Sequence, residues 1–139
     1  MLDGLAAYVR ALSPAACPKA RTEPIHASGY VADARRAVRA GRLALAHADK
    51  ATAALMIGSA RSQLGLIYER YDTPLLEGDR TALKGADRAL AEAADAVRAG
   101  DPKADALLAA WLTGSKGWAA QVERDQDRSL FNPRRLAGL

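Results

Sequence analysis

Four arginines form the first group of residues whose type and spacing could do chemistry. Arg35, Arg39 and Arg42 recur every three or four residues, which puts them on one face of a helix, and Arg36 lies beside them. Each guanidinium can donate two parallel hydrogen bonds to a phosphate or a carboxylate. This arginine stripe predicts an anion-binding or nucleic-acid-binding face. Alternatively, it is a solvated face whose charges pair within the protein.

Base stacking would contribute little to nucleic-acid binding by the arginine stripe. Tyr30 is the only aromatic residue near these arginines, whereas proteins that bind single strands stack several bases on aromatic rings. No helix-turn-helix pattern is recognisable either. Nucleic-acid binding is therefore the second hypothesis for this chain.

A second motif is the six-residue run Arg42-Leu43-Ala44-Leu45-Ala46-His47. An arginine and a histidine separated by four residues on a helix resemble the active-site spacing of HEPN-type ribonucleases. Those enzymes are α-helical bundles that dimerise to bring two such pairs onto one RNA phosphate. The resemblance implies that His47 acts as general acid or base and that Arg42 stabilises the charged transition state.

The chain departs from that family at two points. The family usually has a polar residue directly after the arginine, where this chain has Leu43, and usually places the pair late in the sequence. We therefore expect a protein that is not an enzyme and has no catalytic residue, with a ribonuclease as the remote alternative.

Metal and cofactor chemistry lack the residues they need. His26 and His47 are the only two histidines, and Cys17 is the only cysteine, so no cysteine cluster and no intrachain disulfide can form. Gly114-Ser115-Lys116-Gly117 lacks the spacing of a phosphate-binding loop. We predict no metal site, no cofactor and no small-molecule substrate.

The composition favours an all-α protein. Half of the 139 residues are apolar but only 5% are aromatic, and alanine supplies much of the apolar fraction. Alanine is the best helix former and a poor core filler, which predicts closely packed helices around a thin core. A chain of this length fits one domain, here residues 1–139. The chain's net charge of +4 is compatible with binding to nucleic acid but does not require such binding.

The apolar spacing predicts a compact bundle of four to six helices. Residues 2–12 form a short amphipathic helix, because Leu2, Leu5, Val9 and Leu12 recur at helical spacing. Residues 13–27 are a proline-rich linker, 28–128 the helical bundle, and 129–139 an irregular tail that docks through Leu130 and Phe131.

Turn residues divide the bundle region. Ser28 is the expected N-cap of its first helix, and Gly41 the expected turn or kink in a long apolar stretch. Pro74 and Gly100 mark the next two boundaries, because proline suits the first turn of a helix and glycine suits its end. Residues 113–117 are expected to be a flexible break before a last helix.

A short internal repeat supports this division. Ala-Val-Arg-Ala-Gly occurs at 37–41 and again at 96–100. It predicts two helical hairpins, each with a glycine turn. The repeat itself is either a true duplication or a chance recurrence in an alanine- and arginine-rich chain.

Several residues suggest a surface for contact with another protein. Small residues permit close helix approach, larger apolar residues spread around more than one face of the same helix, and tryptophans are common at interfaces. The candidate interface residues are Ala54, Gly58, Leu66, Tyr68, Trp111 and Trp118. We expect a protein–protein interaction or assembly module, with a protein partner or self-association into an oligomer. One concrete version is a structural component of a larger phage or bacterial assembly.

The expected setting is the cytoplasm. The start of the sequence lacks the basic and apolar regions of a signal peptide. The most apolar run, residues 51–60, is too short to cross a bilayer, so we expect no membrane association.

Overall fold

The computed structural model describes Ala7 and residues 24–139. The predicted helix at 2–12, apart from Ala7, and most of the predicted linker at 13–27 lie outside the described residues. Four long helices and one short helix follow in chain order. They are α1 (Ala27–Ala46), α2 (Lys50–Arg70), α3 (Glu77–Ala99), α4 (Ala104–Asp125) and α5 (Pro133–Leu136), with 3-10 turns at Pro74–Leu76 and Gln126–Arg128.

The four long helices form an up-down-up-down bundle in which each packs against its neighbours in sequence and α4 returns to α1. The end of α1 meets the start of α4, where Arg42 binds Asp105. At the opposite end, the backbone N–H of Ala27 donates to the side chain of Gln126. The prediction of an all-α bundle with two helical hairpins, α1–α2 and α3–α4, is therefore confirmed.

The core between the helices is built from alanines and aliphatic side chains. Tyr71 is the largest fully buried side chain, and its hydroxyl donates a hydrogen bond to the carbonyl oxygen of Val122. Trp111 is also largely buried, and its indole N–H donates to the carbonyl of Ala86 over 3.0 Å. These two bonds satisfy the polar ends of the large core side chains.

The expected turn at Gly41 is wrong. Gly41 is buried inside α1, and a Cβ built there would lie 3.4 Å from the carbonyl oxygen of Ala53 on α2. The glycine therefore serves the close packing of α1 on α2. The chain turns instead at His47–Asp49, where Ala48 has a φ of 58° and the Asp49 side chain caps α2 by accepting from the N–H of Thr52.

Two other boundary predictions are corrected. The first helix begins at Ala27, and its N-cap residue is His26, whose side chain makes no capping hydrogen bond, so Ser28 is not the N-cap. The expected break at 113–117 is continuous helix within α4, where the buried hydroxyl of Ser115 accepts a hydrogen bond from Arg35 of α1.

The boundaries at Pro74 and Gly100 are confirmed. Pro74 opens a 3-10 turn that leads into α3, and Gly100 ends α3 with a φ of 69°. The two copies of the short repeat differ in structure, since 37–41 lies inside α1 whereas 96–100 ends α3. The repeat therefore does not correspond to two glycine turns.

The C-terminal segment is more regular than expected, because it contains α5. Its anchor is Phe131, which packs between the rings of Tyr30 and Tyr71 at centroid distances of 5.8 and 6.1 Å. The N–H of Leu130 donates to the carbonyl of Arg70 over 2.8 Å. The predicted docking through Leu130 and Phe131 is thus observed.

Among residues 24–139, no helix combines the length and the apolar character that crossing a membrane requires.

Candidate protein-interaction site

An open apolar groove of about 500 Å³ runs between α3 and α4. Its walls are small side chains and its floor holds two tryptophans, and among the described residues that line it Glu92 is the one that is charged. The lining consists of Ala82, Gly85, Ala86, Ala89 and Glu92 from α3, and of Leu107, Ala110, Trp111, Gly114 and Trp118 from α4. We call this surface the α3–α4 groove.

The spacing of small residues on α3 produces this groove. Ala82, Gly85 and Ala89 follow one another at three and four residues, so they form a stripe beside the buried stripe that includes Leu83 and Leu90. A Cβ built at Gly85 or at Gly114 would meet no atom within 4 Å. The two helices therefore leave an open channel above their contact.

The two tryptophans form the floor of the groove. Their ring centroids are 5.8 Å apart with a tilt of 58°, a favourable aromatic arrangement. Trp111 is only 6% exposed, whereas Trp118 is partly exposed. Leu107 extends the apolar surface at one end, with 39% of its area exposed.

No protein-family model, no curated protein and no solved structure matches this chain. The groove is therefore interpreted from its own residues.

The sequence prediction of interface residues mixes three surfaces of the folded protein. Trp111 and Trp118 line the α3–α4 groove. Gly58 and Leu66 are exposed on the outer face of α2, where Ala54 is half-buried. Tyr68 lies in a separate cleft between α2 and α3. Only the tryptophans of the predicted set thus share one concave site.

The cleft between α2 and α3 has a volume of about 540 Å³, and charged side chains from both helices line it. Arg61 makes two hydrogen bonds to Asp87, at 2.7 and 3.0 Å. The Tyr68 hydroxyl accepts from Arg80 over 2.7 Å. Hydrogen bonds from Lys84 and from Arg80 lower the pKa of Tyr68. These contacts engage Arg61, Asp87 and Tyr68 within the protein, whereas Arg88 makes no hydrogen bond or ion pair to the described residues.

The arginine stripe is partly neutralised. Arg42 binds Asp105 through two hydrogen bonds, at 2.7 and 2.9 Å, which lower the pKa of that carboxyl, and Arg36 pairs with Asp33. Arg35 donates to the hydroxyl of Ser115 over 2.9 Å and so keeps its net charge. Within the described part of the chain, Arg39 is exposed and makes no hydrogen bond or ion pair.

The arginine and histidine of the ribonuclease-like motif lie at the end of α1. His47 is exposed and follows the last residue of the helix, while the Arg42 guanidinium is held by Asp105. Among residues 24–139, no group of three or more His, Cys, Asp or Glu side chains is arranged to hold a metal ion.

Sequence reasoning missed the α3 wall of the groove. The signal was present, because Ala82, Gly85 and Ala89 recur at helical spacing on a face separate from the core. It could be interpreted only once α4 was known to lie beside that face.

Proposed function

We propose that this protein is a helical protein–protein interaction module that binds an apolar helix of a partner in the α3–α4 groove. The observation that supports the proposal is an open apolar groove with paired tryptophans on its floor. Tryptophan is enriched among the residues that carry most of the binding energy at interfaces. Helix-binding proteins use such grooves for partner residues at i, i+3, i+4 and i+7.

The shape of the groove favours a helix over an extended peptide. The α3 wall from Ala82 to Glu92 extends about 15 Å, or roughly three helical turns. Its small side chains allow a third helix to approach closely, because the distance between packed helices is set by the side chains at their contact. An extended strand would instead need unpaired backbone groups along a sheet edge.

The same proposal includes the protein's cellular location and its assembly. The protein would act in the cytoplasm, as a basic structural component of a larger bacterial or phage assembly, with self-association as the other form of contact. A single cysteine suits a reducing compartment, and the alanine-rich helical composition suits an assembly protein.

The experiment is a titration with an amphipathic peptide of about 15 residues, long enough to form a helix on binding. Its leucines are placed at i, i+3, i+4 and i+7, and tryptophan fluorescence reports its binding. We expect Gly85→Glu and Gly114→Glu to abolish binding, since each puts a charge into the groove where there is room for the side chain.

Gly58→Glu is the matched control. Gly58 is also a helical glycine with no atom within 4 Å of a built Cβ, but it lies on the outer face of α2. This variant should bind like the wild type, and a scrambled peptide without the leucine stripe should not bind. Equal binding by all three glycine variants would contradict the proposal.

A further inference from the structure

The cleft between α2 and α3 has an aliphatic floor and an open space in its α2 wall. Leu64 and Leu83 form the floor, and each has only 1% of its surface exposed. Gly65 lies beside them on α2, where a built Cβ would meet no atom within 4 Å. The volume of about 540 Å³ is within the usual range of small-molecule sites, which combine an apolar lining with a few polar groups.

The charged side chains of the cleft leave an excess of positive charge. Both hydrogen bonds from Arg61 hold the carboxylate of Asp87, so that these two charges compensate each other. Lys84 and Arg88 are exposed on α3, four residues apart, which puts both on one side of the helix. The Nζ of Lys84 lies 5.4 Å from the centre of the Tyr68 ring, a cation–π contact that does not neutralise its charge. Two cations of the α3 wall therefore remain for a negatively charged ligand.

The lining favours a flexible aliphatic ligand over a flat aromatic one. Of the described residues that line the cleft, Tyr68 alone is aromatic. Its ring is already engaged by two cations, since the guanidinium carbon of Arg80 is 4.5 Å from the ring centre and Lys84 is the second. A nucleobase would need a free ring face on which to stack. The leucines of the floor offer an alkyl chain the contact that it needs.

We propose that the cleft between α2 and α3 binds an aliphatic carboxylate, with its chain on the two leucines and its carboxylate on Arg88 and Lys84. A guanidinium can donate two parallel hydrogen bonds to a carboxylate, and an ammonium group adds a compact charge. The ligand is bound without reaction, so no catalytic residue is implied.

The size of the cleft limits the length of the chain. The α2 wall from Arg61 to Tyr68 extends about 10 Å, or roughly two helical turns. This length suits a carboxylate of medium chain length, and octanoate is the probe. The inference does not depend on the proposed function, because α3 contributes different residues to the cleft and to the α3–α4 groove.

An NMR titration of the full chain with octanoate tests the proposal, because amide shifts report both affinity and location. We expect saturable shifts centred on Gly65, Leu83 and Arg88. Octanol has the same chain without the charge, and butanoate has the charge with a shorter chain. Each should bind more weakly than octanoate by about tenfold or more, since the chain and the carboxylate both contribute.

Two variants remove the two parts of the site. Arg88→Glu should weaken octanoate binding by about tenfold, because a charge-assisted hydrogen bond is replaced by repulsion. Gly65→Leu should abolish binding, because its side chain occupies the open space of the cleft. Circular dichroism and thermal unfolding verify that each variant keeps the bundle.

Each variant has a matched control. Arg39→Glu makes the same change of charge at an exposed position of α1. Gly58→Leu adds the same side chain at another open glycine of α2, one that does not line the cleft. Both controls should bind octanoate like the wild type.

Three results would overturn the inference. The first is octanoate binding of equal strength in the wild type, Arg88→Glu and Gly65→Leu. The second is octanol binding as tight as that of octanoate, because the cations would then contribute nothing. The third is a set of shifts that does not saturate or that centres on Gly85 and Gly114 in the α3–α4 groove. Neither cleft variant should change binding of the amphipathic peptide, so this inference and the proposed function can fail separately.

Discussion

Asp79 is the most unusual single residue of the bundle, since it is a carboxylate with only 3% of its surface exposed. Its Oδ1 atom is buried and has no hydrogen-bond partner within the described residues. Burial, and then the nearby charge of Asp125, raise the pKa of this carboxyl, although a hydrogen bond with Gln121 opposes the change. The folded state thus favours the protonated form, and stability falls as the pH rises through the range between the unfolded and the folded pKa.

Replacing Asp79 with asparagine should therefore stabilise the protein at pH 7, by about 1 kcal/mol, because an unsatisfied buried charge is removed. The gain should vanish below about pH 3, where the aspartate is protonated in both states. Chemical denaturation of both proteins at pH 7 and at low pH measures the difference. Asp127→Asn, at an exposed position, should change little. A loss of stability at pH 7 in Asp79→Asn would contradict this account.

At the scale of the helices, residues of the same type have different roles. A role that acts on the local backbone can be predicted from the sequence, whereas a role in packing between helices cannot. Pro74 and Gly100 were predictable as boundaries because their effect on the backbone is local. Gly41 was not, since its function is the contact with Ala53 on α2, which exists only in the folded bundle. For the same reason, Trp111 and Trp118 were predictable as interface candidates, but the groove that joins them was not.

The glycines also give a prediction about stability. Gly100→Ala should destabilise the protein by about 1–2 kcal/mol, because alanine is strained at a left-handed φ. The Nζ of Lys50 lies 2.6 Å from the Cβ position and would also have to move. Gly85→Ala should instead stabilise it by about 0.5–1 kcal/mol, since the site is helical and open. Thermal unfolding of both variants tests this, and equal melting temperatures would refute it.

At the scale of the whole molecule, ion pairs within the protein reduce the positive charge that is available to bind other molecules. Two of the four stripe arginines bind carboxylates, which leaves Arg35 and Arg39 to attract phosphate. A face with so few available charges should bind nucleic acid weakly, because affinity depends on the number of phosphates neutralised.

We therefore expect binding to DNA or RNA weaker than about micromolar at about 50 mM salt, measured by fluorescence anisotropy. Tight binding that collapses at about 200 mM salt and is lost in Arg35→Glu/Arg39→Glu would instead establish the arginine stripe as a nucleic-acid site. The same samples on a gel test the ribonuclease alternative. Cleavage that disappears in His47→Ala, with the fold intact, would establish it.

The order in which the helices pack has a consequence for how the chain folds. α1–α2, α2–α3 and α3–α4 are joined by short turns, so most contacts form between segments close in sequence, which favours rapid folding. The exception is the closure of α4 on α1, where Ala27 and Gln126 meet across 99 positions. The largest entropic cost of loop closure therefore belongs to the packing of α4 on α1. A circular permutant that joins the two ends and opens the chain after Gly100 would exchange the closure of α4 on α1 for a closure of α4 on α3, so it should fold no faster than the wild type.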